Sequence, residues 1–287
     1  MPVWTPGSYL VREYSAHLER LEARGGGQAL LPVVKVAKNR WRVESITGDQ
    51  ITVSYDVWAG ELNVSTNWVE SSQALLNGAG LFLYTDQSRD LPQEVEVRLP
   101  AGWTTVHTAM DREENSGRFR VADYDELVDS PILAGNAVEY PIEVAGHPYG
   151  VVFSEDSPYW DVERAAEDCA RIIEAQQNFW GVNPMERKYL VMTVFAESFA
   201  GLEHDHSTVL MTNRLSMRDR KDYRRWLGLV SQEFFHAWNV RRMRPAALSD
   251  YDCEQESYLR ELWLAEGLTS YYDVLLLFRA GAIRGVE

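Results

Sequence analysis

Three polar side chains, Gln232, Glu233 and His236, interrupt the run Trp226-Leu227-Gly228-Leu229-Val230-Ser231-Gln232-Glu233-Phe234-Phe235-His236-Ala237-Trp238, which is otherwise apolar almost all round. A helix of that kind is buried on most sides, where an unpaired carboxylate costs several kcal/mol. Something must compensate them. Residues 232 and 236 lie one turn apart on one face, and 233 and 236 are neighbours at i,i+3. This is the spacing of the His-Glu-x-x-His motif, in which two ligands at i and i+4 hold zinc and the glutamate acts on a metal-bound water. Here the string is Gln-Glu-Phe-Phe-His. Taken alone, the string favours a hydrogen-bonded polar cluster with His236 as a satisfied core histidine.

A second apolar segment, Leu262-Trp263-Leu264-Ala265-Glu266-Gly267-Leu268-Thr269-Ser270-Tyr271-Tyr272, carries another acid, followed by a glycine that permits close helix approach. Between His236 and Glu266 lie Pro245 and a polar loop, enough chain to turn back. Glu266 is thus a candidate third ligand; the alternative is a buried glutamate paired with Arg241 or Arg242.

Elements must position these groups. Short apolar or alternating runs recur in the first half, at 30–36, 51–58, 81–84, 95–99 and 149–153, punctuated by Gly25-Gly26-Gly27, Gly48-Asp49, Asn77-Gly78 and Pro100-Ala101-Gly102. They predict strands. The character changes near Asp156. Helical spacing from Asp161 to Trp180, with Asp161 as N-cap and Gly181 as stop, predicts a helix. A strand at 189–195, a glycine-containing turn and a strand at 208–212 follow. Helices are expected over 222–240 and 258–279. The fold class is α+β, with a β-rich domain over 1–150 and a mainly helical domain over 151–287. The edge of a small sheet in the second domain is expected to carry Glu203.

The chain has 287 residues, 43 acidic and 28 basic, for a formal charge of −15. Such a surface repels phosphate backbones, so no nucleic-acid partner is expected. The basic run Arg214, Arg218, Arg220, Lys221, Arg224 and Arg225 reads as a solvated, salt-bridged face. Cys169 and Cys253 are far apart and lack metal-type spacing, which fits a reducing cytoplasm. No stretch approaches the ~18 apolar residues of a membrane span.

The motifs together resemble the glycyl aminopeptidase family, metallopeptidase family sixty-one, a thermolysin-like gluzincin group. The resemblance rests on Ser231 to Pro245, the opening Pro2-Val3-Trp4-Thr5-Pro6-Gly7-Ser8-Tyr9-Leu10, Tyr124 to Pro131, Gly201-Leu202-Glu203-His204, and Leu262 to Tyr272, which run in family order along nearly the whole chain. It implies a β-rich N-terminal domain and a thermolysin-like catalytic domain, with a PDZ domain in full-length members. By that comparison the chain is expected to be short at both ends, with a tyrosine that assists the transition state lying beyond Glu287.

Carried over by resemblance, His236 and Glu266 match zinc ligands and Glu233 matches the general base. Gly201, Leu202 and Glu203 match the segment that lies along a peptide substrate, with Glu203 binding its free α-amine. Ala200 replaces the family's usual first glycine. Gln232 stands where the first histidine ligand belongs, and a carboxamide oxygen is a weak, neutral donor. His204 and His206 could share a face as substitutes, although a structural role is the commoner fate of such histidines. The cofactor implied is Zn2+, held weakly here, and the partners implied are peptides with a free N-terminus. The two functions weighed are a zinc aminopeptidase, with this chain's activity reduced by Gln232, and a peptidase-fold module that binds peptide N-termini without cleaving them.

Overall fold

The computed structural model describes residues 1–8, 10–44, 50–113, 116–248, 252–255 and 260–284. Tyr9 of the opening motif, the expected turn at Gly48-Asp49 and the expected helix start at Tyr258 lie outside the described residues.

The first half is built of small antiparallel sheets. Leu18–Gly25 pairs with Leu30–Leu31 on one side and Ile51–Val57 on the other, Val33–Ala37 pairs with Arg40–Val43, and Arg118–Val121 lies between Gln93–Glu96 and Asp111–Arg112. A fourth sheet has the order Trp68–Val69, Ala74–Leu76, Ile132–Gly135, Thr105–His107.

The run 81–84, expected as a strand, is irregular. Asn77 caps a 3-10 turn over Gly78–Gly80, and the carbonyls beyond it go to tyrosine hydroxyls: Tyr55 donates to Leu81 O at 2.8 Å and Tyr124 to Phe82 O at 2.7 Å. Buried carbonyls satisfied in this way need no neighbouring strand. The strand Leu18–Gly25 went unread because its Glu, Arg and Leu residues are helix formers; its partner strand decides its conformation.

The second half centres on a five-stranded sheet: β1 (Val138–Val144), β2 (His147–Phe153), β3 (Tyr189–Phe195), β4 (Ala200–Glu203) and β5 (Ser207–Thr212), in the order β1-β2-β3-β5-β4. β2, β3 and β5 are parallel, while β1 and β4 are antiparallel edge strands. The sheet crosses residue 150. β3 is buried throughout, as a central parallel strand covered on both faces must be. Its side chains alternate: Tyr189, Val191 and Phe195 pack toward the helices, whereas Leu190, Met192 and Val194 meet Val64, Leu75 and Leu133 of the first half. One sheet thus joins both halves.

Three helices follow the sheet or cross it: α1 (Val162–Trp180), α2 (Arg220–Phe235) and α3 (Leu262–Arg279). Asp161 caps α1 through Arg164 N, and Gly181 ends it at φ 70°, a left-handed conformation that favours glycine. Asp219 caps α2 by accepting from Lys221 N and Asp222 N. Contrary to the expected end at Val240, α2 stops at Phe235 and the chain continues in turns. Arg241 N now reaches His236 O (2.9 Å) and Met243 N reaches Trp238 O (2.8 Å), giving this segment its own hydrogen bonds. Gly201, expected in a turn, lies within β4. None of the helices among the described residues is long and apolar enough to cross a membrane. Cys169 and Cys253 are free and buried.

Candidate active site

Helix α2 is held from several sides. Trp226 Nε1 donates to Thr193 Oγ1 on β3 (3.2 Å), Gln176 Nε2 on α1 donates to Ser231 O (2.7 Å), and Ser231 Oγ donates to Asp273 O on α3 (3.0 Å). Its last turn therefore cannot shift without breaking buried hydrogen bonds. That turn presents Glu233 and, as C-cap, His236, both almost fully buried.

The edge strand β4 comes in beside them. Along a strand, alternate residues share a face, so Gly201 and Glu203 share one side and Leu202 the other. A Cβ on Gly201 would lie 2.6 Å from Glu233 Cγ and closer still to its carboxylate, so this position needs glycine for the strand to approach α2. Leu202 is buried on the other side, in the cluster with Met192 and Val209; what it can offer a peptide is backbone. Ala200 stands in the same strand, paired with Met211.

One ligand atom from each of Glu203, Glu233 and His236 lies within 4.8 Å of the other two. Glu266 joins from α3, its Oε2 3.7 Å from His236 Nε2, with its side chain about half exposed. Among the described residues no hydrogen-bond donor reaches the carboxylate of Glu203 or Glu233. Burial, then Glu203, Glu266 and Asp273, pushes the Glu233 carboxyl well above the usual carboxylate range. Burial likewise raises Glu266, with His236 opposing and Glu203 adding. Burial raises the nearby Asp273 to about 6.

His236 Nδ1 lies 2.7 Å from Asn239 O. A carbonyl only accepts, so Nδ1 carries the proton and the Nε2 lone pair faces Glu266. A bare imidazole nitrogen beside buried carboxylates without donors is the donor chemistry of a divalent-cation site. Its atoms fit a divalent cation such as zinc in type. Gln232 is half-buried one turn before His236, and its carboxamide makes no hydrogen bond among the described residues. The structure thus brings together Glu203, Glu233, His236 and Glu266, while among the described residues the Gln232 side chain makes no hydrogen bond to any of them.

His204 and Arg241 serve elsewhere. His204 Nδ1 pairs with Asp129 Oδ1 at 3.0 Å. Arg241 reaches Asp129 (2.5 Å) and Asp205 (2.9 Å), and Arg244 also reaches Asp205 (3.2 Å). Burial alone would raise Asp205, but Arg241, Arg244 and Arg242 outweigh it and hold it at about 2. This cluster ties the 124–131 stretch to β4 and to the turns after α2. His206 is half-buried, and burial together with Arg187 and Arg242 lowers its pKa. The tight Glu203–Glu233–His236 group includes neither His204 nor His206.

The opening segment, whose residues alone suggest no site role, closes one wall. Trp4 packs with Val240 and Ala265, its Nε1 donating to Asp252 O (2.7 Å). Gly7, at φ 85°, lies so close that a Cβ would come within 2.8 Å of Glu203 Oε2. The Pro6-Gly7 pair was the available signal, but it reads as an ordinary turn. A cavity of about 570 Å³ flanked by Arg40, Trp41, Tyr55 and Tyr84 is lined by none of the site residues.

A buried helix offering glutamate and histidine, beside an antiparallel edge strand to which an extended peptide could add, defines a peptidase-type site. Comparison with known proteins agrees. The Peptidase M61 N-terminal domain matches residues 1–136, and M61 glycyl aminopeptidase matches 225–287. The chain belongs to the M61 peptidase family. An aminopeptidase N family protein from Idiomarina loihiensis superposes with a TM-score of 0.93 at 34% identity, over 99% of this chain and 50% of that one. This chain spans about half the length of that relative. A search of curated proteins returned no match.

Proposed function

We propose that this chain is the peptidase portion of a zinc-dependent aminopeptidase whose metal grip is weakened by Gln232. The observation that supports it most is the group of Glu203, Glu233 and His236, two buried carboxylates without donors beside a bare imidazole nitrogen. His236 and Glu266 would hold the metal, with Gln232 as a weak third donor. When bound, zinc supplies Lewis-acid polarisation of the scissile carbonyl and acidifies water.

Glu233, with its raised proton affinity, takes the proton of the attacking water and delivers it to the leaving amine. Glu203 accepts the substrate's α-ammonium in a charge-assisted hydrogen bond, which restricts cleavage to the first residue. The β4 backbone at Gly201 and Leu202 aligns the peptide. With both acids buried on one side of the strand, a short N-terminal residue such as glycine or alanine fits best.

Gln232 specifically favours a second reading, in which the fold holds peptide N-termini through Glu203 without cleaving them. One experiment separates the two. Metal content after dialysis and hydrolysis of glycine and alanine anilides are measured for the chain and for Gln232→His. We expect little zinc and negligible turnover in the parent, and at least ~10–100-fold tighter zinc binding in the variant, the scale set by loss of even a supporting partner. Stoichiometric zinc with turnover in the parent would show Gln232 to be a competent ligand. Peptide binding without turnover in zinc-loaded Gln232→His would favour the second reading.

A further inference from the structure

We infer that Asn239 is a positioning residue that couples the two ligand-bearing elements, setting the direction of the His236 ring and the place of Glu266 together. The inference rests on the metal-site reading above.

His236 is not within a regular helix. α2 ends at Phe235, and His236 caps it, so the helix alone does not fix the ring. What fixes it is the turn that follows: Asn239 O accepts the Nδ1 proton at 2.7 Å, which selects the tautomer with Nε2 free for a cation. A turn is a soft support unless something holds it. Here the Asn239 side chain does. Its Nδ2 donates to Ala265 O (3.1 Å) and lies 3.2 Å from Thr269 Oγ1, both on α3 and both beside Glu266.

Thr269 is itself bound back to Ala265 O and is fully buried, and Asn239 is nearly so. One residue thus grips His236 with its backbone and the Glu266 turn with its side chain. Aspartate at this position would lack the amide donors, and alanine would leave the Ala265 carbonyl without that partner. Neither change would touch the site directly.

The test uses the full chain carrying Gln232→His, titrated with Zn2+ against a competing chelator and with Co2+ followed by its visible spectrum. Adding Asn239→Ala is expected to weaken zinc at least tenfold and to alter the Co2+ bands. Tyr223→Phe, which breaks a buried hydrogen bond to Asp168 at the opposite end of α2, is expected to lower thermal stability while leaving zinc affinity within threefold. Should Asn239→Ala fold poorly, Thr269→Val and Thr269→Ser carry the same comparison: valine should weaken zinc, whereas serine, which keeps the hydroxyl, should not.

Unchanged affinity in Asn239→Ala, or equal loss in Tyr223→Phe, would overturn the inference while leaving the metal site standing. If Gln232→His alone fails to bind zinc, the metal reading falls and takes the inference with it.

Discussion

Glu203 and Asp205 are separated by a single residue, yet their surroundings differ in kind. Asp205, with Asp129, is enclosed by Arg241, Arg242, Arg244 and His204, and its charge is matched on the spot. Glu203 faces Glu233, with Glu266 near, and receives no donor from the described residues. The first cluster satisfies the rule that buried charges are paired. The second breaks it, and Glu233 and Glu266 respond by gaining proton affinity. The same stretch of chain therefore builds a support and, next to it, a group of acids that no donor among the described residues compensates. Such uncompensated polarity is where function concentrates.

The comparison breaks most visibly at Arg241. Its side chain is about 1% exposed, so Arg241→Met leaves Asp129 and Asp205 without their strongest partner. Breaking a buried pair in this way costs ~3–5 kcal/mol. Urea unfolding at pH 7 should show a loss of that order, with the site acids unaltered in composition. A loss under ~1 kcal/mol would mean that the cluster is not the support described here.

The opposite sign is expected at Glu233. Because its folded-state pKa is raised, the native chain takes up a proton relative to the unfolded one, and stability falls as pH rises above about 4.5. In Glu233→Gln that dependence disappears. With EDTA present, the variant should be more stable than the parent by ~1–2 kcal/mol at pH 8, a gain typical of relieving a functional site. The two should converge near pH 4, where Glu233 is protonated in both states. Equal stability across this range would show that the acids are not uncompensated.

What was legible in the sequence divides along similar physical lines. Local signals reported α1 well, because Asp161 and Gly181 mark its ends with side-chain and backbone chemistry. β3 was legible as an unbroken apolar run. The end of α2 was not: Ala237-Trp238-Asn239-Val240 continues the apolar pattern, and no glycine or proline precedes Pro245. The turns there are held by tertiary hydrogen bonds that no local pattern encodes. In the site, motif spacing and the family resemblance together placed Glu233, His236, Glu266 and Glu203 in one region. The approach of Gly7 to Glu203 and the grip of Asn239 on α3 were invisible, since each joins segments distant in sequence through a single contact.

The smallest expected effect lies at a third acid, Glu139, where the first half of the chain meets the five-stranded sheet. Glu139, on β1, accepts from His107 Nδ1 at 3.2 Å and pairs with Lys188 just before β3. The hydrogen bond with His107, aided by Lys188 and opposed by burial, holds its carboxyl at about 2. Here the folded pKa is depressed, so the contribution to stability is present above the unfolded value of about 4.5 and is lost as pH falls toward 2. With the side chain roughly a quarter exposed, solvent screening limits that contribution to ~1 kcal/mol. Glu139→Gln should therefore cost about that much at pH 7 and progressively less as pH falls toward 2, provided the parent still folds there. Glu139 thus behaves like the compensated Asp205 and opposite to Glu233: acid weakens the first kind of site and relieves the second. Unfolding curves for Glu139→Gln and Glu233→Gln at pH 4 and pH 7 place these two acids on one scale, and a Glu139→Gln penalty that grows on acidification would refute the assignment of its charge as matched.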